Sequence, residues 1–209
     1  MEPSQIEALS FEIIDKEAGE HNFSHKEWNI VRRMIHTSAD FGYMRTVRFH
    51  PQAIEAAVNA IQKGTTIITD TTMALSGISR KRLEGFNANI KCLIGDPEVA
   101  KKAAAHKITR SQAAVDAVLA DMEGGIYVVG NAPTALLRLI ELIKTGRAAP
   151  ALVIGLPVGF VNAAESKAAL METDYPYITN LGRKGGSNVA ACVVNALAGI
   201  AKMQSGQII

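Results

Sequence analysis

One of the five histidines, His36, stands where an imidazole could exchange a proton with a ligand. The apolar residues after Ser24 predict a helix that runs to about Asp40, with His36 on its polar face. In the last turn of this helix the macrodipole favours a protonated imidazole, which Asp40 supports and Arg32 opposes. General acid–base chemistry is therefore open to His36, with an ordinary solvated histidine as the alternative. The weaker candidates are His21, His25, His50 and His106.

A glycine-rich segment at residues 181–188 could bind an anion. It reads Leu-Gly-Arg-Lys-Gly-Gly-Ser-Asn and precedes an apolar helix predicted from Val189 to about Ala201. Three glycines let backbone N–H groups turn towards one point ahead of a helix N-terminus, and Arg183 and Lys184 add positive charge. The segment is not a P-loop, because the lysine precedes the glycine pair, and no dinucleotide-binding G-x-G-x-x-G follows a strand. A plain glycine turn is the alternative.

Arg110 begins a helix whose start is marked by a capping box of Thr109 and Gln112. An arginine in the first turn opposes the helix dipole, which suggests a function elsewhere, such as a bidentate bond to a carboxylate. A surface salt bridge is the alternative. Loops that leave the carboxyl ends of predicted strands supply hydroxyls, an amide and backbone donors, but no nucleophile–base pair. These loops are 70–73, 130–134 and 156–160.

The elements that must position these residues are short β-branched runs that alternate with longer alanine-rich segments. Several runs are apolar without alternation, which is typical of strands covered on both faces by crossover helices. The sequence therefore predicts a three-layer α/β/α sandwich with a mostly parallel sheet of about five strands and an N-terminal helical segment. No linker or repeat interrupts residues 1–209, which are predicted to form one domain. The predicted strands are Thr65–Thr69, Ile90–Ile94, Ile126–Val129, Ala151–Ile154 and Tyr177–Thr179.

Composition excludes several classes of protein. A formal charge of +2, with six Phe, four Tyr and one Trp, offers neither the basic face nor the stacking platforms that nucleic-acid binding needs. No stretch approaches the roughly 18 apolar residues of a membrane span, and the amino terminus lacks the pattern of a secretory signal. Cys92 and Cys192 lie in apolar runs away from other metal ligands, so we expect neither a metal site nor a disulfide. The sequence thus predicts a cytoplasmic protein without nucleic-acid or membrane partners.

Six segments, in order along the chain, resemble the precorrin-8X methylmutase family, and the resemblance extends from Ser10 to about Leu197. Six ordered blocks are far more specific than any one of them. The motifs His-Thr-Ser-Ala-Asp and Thr-Asp-Thr-Thr-Met resemble those of the cobalt-precorrin-8 enzymes of the anaerobic route to vitamin B12 more closely than those of the aerobic enzymes. The blocks are 35–41, 69–78, 108–111, 130–136, 157–161 with 163–167, and 182–188.

The resemblance implies a cofactor-free isomerase that moves a methyl group from C11 to C12 of a ring-contracted tetrapyrrole by a 1,5-sigmatropic shift, giving cobyrinate or hydrogenobyrinate. It also implies that a histidine, whose motif falls on His36, gives or takes a proton at the macrocycle near the migrating methyl group. The acetate and propionate arms of the substrate carry several carboxylates. The substrate-binding residues implied for this chain are Ser10, Thr72, Arg110, Asn131, Gly159, Lys184 and Ser187.

The same resemblance implies a homodimer with the pocket near the subunit interface. The nearly all-apolar helix from Val189 agrees with a partner surface, and burial in the core explains it equally well. A non-catalytic tetrapyrrole carrier that uses the same pocket is the main alternative function. An α/β enzyme that binds a phosphate ligand at the turn after Gly182 is a third.

Overall fold

Residues 2–206, the part of the chain described by the computed structural model, form an α/β sheet with helices on both faces. The strands are β1 (Val47–Phe49), β2 (Ile67–Thr69), β3 (Ile90–Lys91), β4 (Ile126–Val129), β5 (Leu152–Gly155) and β6 (Tyr177–Asn180). The helices of the described residues are α1 (Pro3–Ala18), α2 (His25–Ser38), α3 (Tyr43–Thr46), α4 (Ala53–Gln62), α5 (Thr72–Gly77), α6 (Arg80–Leu83), α7 (Pro97–His106), α8 (Arg110–Ala117), α9 (Pro133–Lys144), α10 (Ala163–Met171) and α11 (Ser187–Gln204). A 3₁₀ turn lies at Leu119–Asp121.

The strands form one sheet in the order β1-β6-β5-β4-β2-β3. All neighbours pair in parallel except β1, which runs antiparallel to β6 with Val47 opposite Asn180. Consequently the carboxyl ends of β2, β4, β5 and β6 lie at one edge of the sheet, beside the amino end of β1. We call this edge, with residues 70–72, 130–132, 156–159 and 181–187, the strand-end edge.

Alternate residues of the central strands face opposite helical layers. Ile126 and Val128 of β4 pack in a core with α2, α4 and α11, whereas Tyr127 and Val129 pack in a second core with α8, α9 and α10. All four side chains are buried, because helices cover both faces of the sheet. No helix among the described residues has the length and apolar character needed to cross a bilayer.

The predicted three-layer sandwich with an N-terminal helical segment is confirmed. The sequence missed β1, because three residues at a sheet edge carry too little pattern to stand out from a mostly helical segment. The strand predicted at Ile90–Ile94 is shorter, since the chain turns where the N–H of Asp96 donates to the carbonyl of Leu93 at 3.0 Å. The single domain predicted over residues 1–209 stays a prediction, and residues 1 and 207–209 lie outside the described residues.

Replacing Leu197 by alanine should lower the free energy of unfolding by about 2–5 kcal/mol, because this α11 side chain is fully buried. Urea unfolding followed by circular dichroism measures the loss. Met203, near the end of the same helix, is 51% exposed, so Met203→Ala is the matched control and should cost less than about 0.5 kcal/mol. Equal losses in the two variants would contradict the burial assigned to α11.

Candidate active site

The carboxylate of Asp70 holds two neighbouring strand ends together. Directly after β2, it accepts N–H bonds from Gly130 at 2.9 Å, Asn131 at 2.9 Å and Ala132 at 2.8 Å, the residues that follow β4. Burial raises the pKa of Asp70 above its ordinary value, and the three N–H donors act against that rise. Because these donors lie at the start of α9, the positive end of that helix is already occupied by a carboxylate of the chain.

The start of α11 lies against the same strand ends. The hydroxyl of Ser187, the first residue of α11, is 2.7 Å from that of Thr71. Gly130 approaches so closely that a side chain on it would lie 2.6 Å from the Cα of Ser187. Gly186 caps the helix without a side chain. The 18-residue helix α11 therefore begins at the strand-end edge, and no side chain within residues 2–206 caps its first N–H groups.

The turn of residues 181–186 lies on the loop that follows β5. Gly159 donates its N–H to the carbonyl of Arg183 at 3.2 Å, and Gly186 donates to the carbonyl of Leu156 at 3.0 Å. Gly159 has φ +143°, a conformation that favours glycine, and a side chain on Gly185 would overlap the carbonyl of Leu156. Glycine is therefore required at residue 185 by the close contact between the two loops, and it is favoured at residue 159 by the backbone conformation.

An ion pair connects this turn to the end of α2. The Nζ of Lys184 donates to the carboxylate of Asp40, which also accepts the N–H of Gly42 at 2.8 Å. The Lys184 ammonium and this N–H hold the pKa of Asp40 below its ordinary value. The expectation that Asp40 lies one helical turn beyond His36 and supports its charge is wrong. The helix ends at Ser38, and Ala39 adopts a left-handed φ of 52° that turns the chain away.

His36 lies in the last turn of α2, as predicted, and its side chain is exposed. A capping box begins this helix: the N–H of Glu27 donates to the Ser24 hydroxyl at 3.3 Å, and the Glu27 carboxylate accepts the Ser24 N–H at 2.8 Å. The rotation of α2 is fixed by four buried residues, which turn His36 outwards. These residues are Ile30, Val31, Met34 and Ile35.

The nearest aromatic neighbour of His36 is Phe11 of α1, with ring centroids 5.2 Å apart. The guanidinium groups of Arg32 and Arg33 lie 4.4 and 4.7 Å from the centre of the Phe11 ring. Arg33 also forms two hydrogen bonds with Glu7, at 2.9 and 3.0 Å, which lower the pKa of Glu7. These contacts fix α1 against the face of α2 that carries His36.

Of the other predicted substrate-binding residues, Thr72 and Arg110 lie at or near the same edge, and Ser10 lies on α1. Arg110 is exposed at the start of α8, and the hydroxyl of Thr109 donates to that of Thr134 at 3.1 Å, which brings this helix start beside that of α9. The surface salt bridge considered for Arg110 does not form within residues 2–206. Thr72 is exposed at the start of α5. Ser10 is half-buried on α1, and its hydroxyl donates to the carbonyl of Ile6 at 2.8 Å.

The structure thus brings Thr72, Asn131, Gly159, Lys184 and Ser187 to one edge, with Arg110 beside it. Ser10 and His36 lie on α1 and α2, which the ion pair of Lys184 and Asp40 links to this edge. Sequence reasoning missed the clamp formed by Asp70. The signal for it in the sequence is a buried run that ends directly in aspartate.

Two clefts in the described chain are lined by none of these residues, although the second includes Phe11, the aromatic neighbour of His36. One of about 430 Å³ lies between α7, α8 and α9 and is lined by His106, Asp116 and Arg138. Another of about 330 Å³ adjoins the second half of α11 and is lined by Arg32, Arg33 and other residues. No group of three or more metal-ligating side chains occurs among residues 2–206.

Fold and site together define a class of protein. An open α/β sheet binds ligands at the carboxyl ends of its strands. Here that edge offers the free N-terminus of α11 and the exposed cations Arg183 and Lys184, and it adjoins a helix with an exposed imidazole. This is a protein that binds an anionic ligand and can transfer a proton to or from it.

Comparison with known proteins identifies a family within this class. Residues 5–200 match the family model for precorrin-8X methylmutase. The chain is 47% identical to the cobalt-precorrin-8 methylmutase of Priestia megaterium over 197 residues, 94% of this chain and 88% of that protein. It is 46% identical to that of Salmonella typhimurium over 94% of both chains. A crystal structure of the Thermus thermophilus precorrin-8X methylmutase superposes with a TM-score of 0.91, at 46% identity over 98% of both chains. The chain therefore belongs to the precorrin-8X methylmutase family.

Replacing Asp70 by asparagine should destabilise the protein by about 1–3 kcal/mol, because an amide cannot accept all three N–H bonds and leaves buried donors unpaired. Urea unfolding gives the value. Asp96→Asn is the matched control, since this aspartate accepts one N–H at 2.8 Å as a helix cap, a position that asparagine fills equally well. Wild-type stability of Asp70→Asn would contradict the clamp.

Replacing Lys184 by methionine should return the pKa of Asp40 towards its ordinary value. The lowered pKa means that the ion pair stabilises the fold fully above about pH 4, and that this contribution disappears as the pH falls through the folded-state pKa of Asp40. The stability difference between wild type and Lys184→Met should therefore shrink on acidification. Carboxyl ¹³C NMR titration measures the pKa directly. A pKa that does not move would show that the pair is absent in solution.

Proposed function

We propose that this protein is an isomerase of vitamin B12 biosynthesis that moves a methyl group from C11 to C12 of cobalt-precorrin-8 or precorrin-8X, giving cobyrinate or hydrogenobyrinate. Membership of the methylmutase family supports the reaction class. The observation that carries the site assignment is the ion pair of Lys184 and Asp40, which joins the anion-binding edge to the end of the helix that bears His36. One substrate can then meet the cations and the imidazole together.

The proposed reaction is an internal rearrangement. The bond from C11 to the methyl carbon breaks and the bond from C12 forms, while the conjugated electrons of the macrocycle redistribute. Neither a nucleophile nor an external oxidant is consumed. The protein must instead hold the macrocycle in one tautomer and shape, so that binding favours the rearranging geometry over the resting one.

His36 is the group that gives or takes the proton near the migrating methyl group. Its imidazole is exposed, so a ligand at the end of α2 can reach it. Protonation of the macrocycle shifts its conjugated electrons and lowers the barrier to migration. General acid–base assistance of this kind contributes about 10²–10⁴ in rate.

The carboxylate arms of the substrate are bound by the positive groups of the strand-end edge. The N-terminus of α11 offers backbone N–H groups, and Arg183 and Lys184 offer charge-assisted bonds. Arg110 is exposed at the start of α8 and, within residues 2–206, forms none of the ion pairs that occupy Arg32 and Arg33. The remaining proposed substrate-binding groups are the hydroxyl of Thr72, the side chain of Asn131, the Gly159 loop and Ser10.

We assign no cofactor, because the tetrapyrrole itself is the reacting group and any cobalt belongs to it. The relatives at 47% and 46% identity bear the name cobalt-precorrin-8 methylmutase, which favours the cobalt-containing substrate of the anaerobic route. We place the enzyme in the cytoplasm, where unpaired cysteines such as Cys92 and Cys192 are the rule.

The active form that we propose is a homodimer. Three apolar side chains at or beside the strand-end edge are largely exposed: Met73 at 69%, Phe160 at 84% and Val161 at 77%. Exposed apolar groups of this kind mark binding surfaces. A macrocycle has two faces, and the open edge of one chain covers one of them. A second copy of the chain would close the site over the other face.

Replacing His36 by alanine should reduce kcat about 10²–10⁴-fold, the usual contribution of a general acid or base, with the affinity for product unchanged. Conversion of cobalt-precorrin-8 is followed by visible absorption, and affinity by titration with cobyrinate. His25→Ala is the matched control, because His25 is an exposed histidine at the other end of α2 and should leave both values unchanged.

The same experiment separates the enzyme from a non-catalytic tetrapyrrole carrier. A carrier would bind cobyrinate and convert no substrate in the wild-type form. Unchanged turnover in His36→Ala would remove the histidine from the mechanism and leave the reaction class intact.

A further inference from the structure

Lys167, in the middle of α10, is a lysine with no exposed surface. Its Nζ donates to the side-chain oxygen of Asn180 at 3.1 Å and to the backbone carbonyl of Lys184 at 2.7 Å. No carboxylate pairs with it within residues 2–206. Burying an ammonium without a counter-ion costs free energy. The hydrogen bonds of Lys167 must therefore stabilise the structure around it.

Lys167 and Asn180 together fix the turn of residues 181–186 from beneath. Asn180 is the buried last residue of β6, and its Nδ2 donates to the carbonyls of Leu181 at 3.2 Å and Lys184 at 3.0 Å. The carbonyl of Lys184 therefore receives bonds from both buried side chains. It directly precedes Gly185, where the turn presses against the loop after β5. The backbone that carries Arg183 and Lys184 is thus held at both of its ends.

We propose that Lys167 is a positioning residue for the substrate: its buried amine holds the turn of residues 181–186 so that Arg183 and Lys184 face the substrate carboxylates, and its charge adds to the positive potential beneath that turn. The inference rests on the proposed function, because a polyanionic substrate is what the turn would receive. Lys167 touches no substrate itself. It acts through the backbone of Lys184.

Electrostatic coupling to the ligand follows from this position. Burial lowers the pKa of Lys167 to about 8, and a polyanion bound above the turn favours the charged form and raises that pKa. The other titratable groups on the elements around it are partly or fully exposed. They are Glu165 on α10, Arg138, Glu141 and Lys144 on α9, Tyr177 on β6, Arg183 and Lys184 on the turn, and Asp40, which binds Lys184.

Lys167→Met tests the proposal with a side chain of similar length that cannot donate hydrogen bonds. KM for cobalt-precorrin-8 and Kd for cobyrinate should each rise about tenfold, the size of one charge-assisted hydrogen bond, with kcat little changed. Lys144→Met is the matched control, because it removes the same charge from an exposed position at the end of α9 and should alter neither constant. A lower Tm with unchanged KM and Kd would overturn the proposal.

The wild-type chain gives a second test that does not depend on the variant folding. In protein labelled with [¹³Cε]lysine, one resonance should titrate near pH 8, while ordinary lysines titrate at about pH 10.4. Addition of cobyrinate should move that midpoint upwards. A midpoint that cobyrinate leaves in place would overturn the proposed coupling.

If the proposed function is wrong, the same measurements give a different result. In that case the wild-type protein neither binds cobyrinate nor converts cobalt-precorrin-8. The anchoring is then measured by amide hydrogen exchange of residues 181–186, which should be faster in Lys167→Met than in Lys144→Met. Equal exchange rates would show that Lys167 does not hold the turn.

Discussion

The carboxylate of Asp70 is the interaction on which the strand-end edge depends. It lies after β2 and binds three successive N–H groups after β4, two strands that pair in parallel with Thr69 opposite Val128. The carboxylate thereby sets where α9 begins. It also places Gly130 against Ser187, so the start of α11 follows from the same contact. Asn131 and Ser187, two of the residues that we assign to the substrate, are therefore positioned through this buried carboxylate.

The clamp also determines which helix can bind an external anion. The N-terminus of α9 already has the carboxylate of Asp70, whereas no side chain within residues 2–206 caps that of α11, which lies beside Arg183 and Lys184. The proposed rearrangement depends on a substrate held in place rather than on a reactive side chain. Fixed backbone dipoles and charges suit such a reaction, because they require no reorganisation while it proceeds. The ion pair of Lys184 and Asp40 then sets the distance between this anion site and the helix of His36.

Sequence reasoning predicted the parallel sheet, because continuous apolar runs such as Ile126–Val129 must be covered on both faces. It also predicted that the loops after β2, β4 and β5 leave the carboxyl ends of their strands, at the edge where such a sheet binds ligands. The partners of Asp70 could not be predicted, since they lie about 60 residues further along the chain and meet it only through strand pairing. Lys167 was missed because a lysine in an alanine-rich helix is normally exposed, and only the tertiary packing of α10 on β6 buries it.

The central claim is that one imidazole beside a clamped polyanion is sufficient protein chemistry for the methyl shift. A crystal structure with bound cobyrinate tests it most directly. The account predicts a ring nitrogen of His36 within about 3.5 Å of the macrocycle near C12, or one water away from it, with carboxylate arms at the start of α11. A macrocycle bound in the cleft between α7, α8 and α9, with His36 facing bulk water, would contradict it.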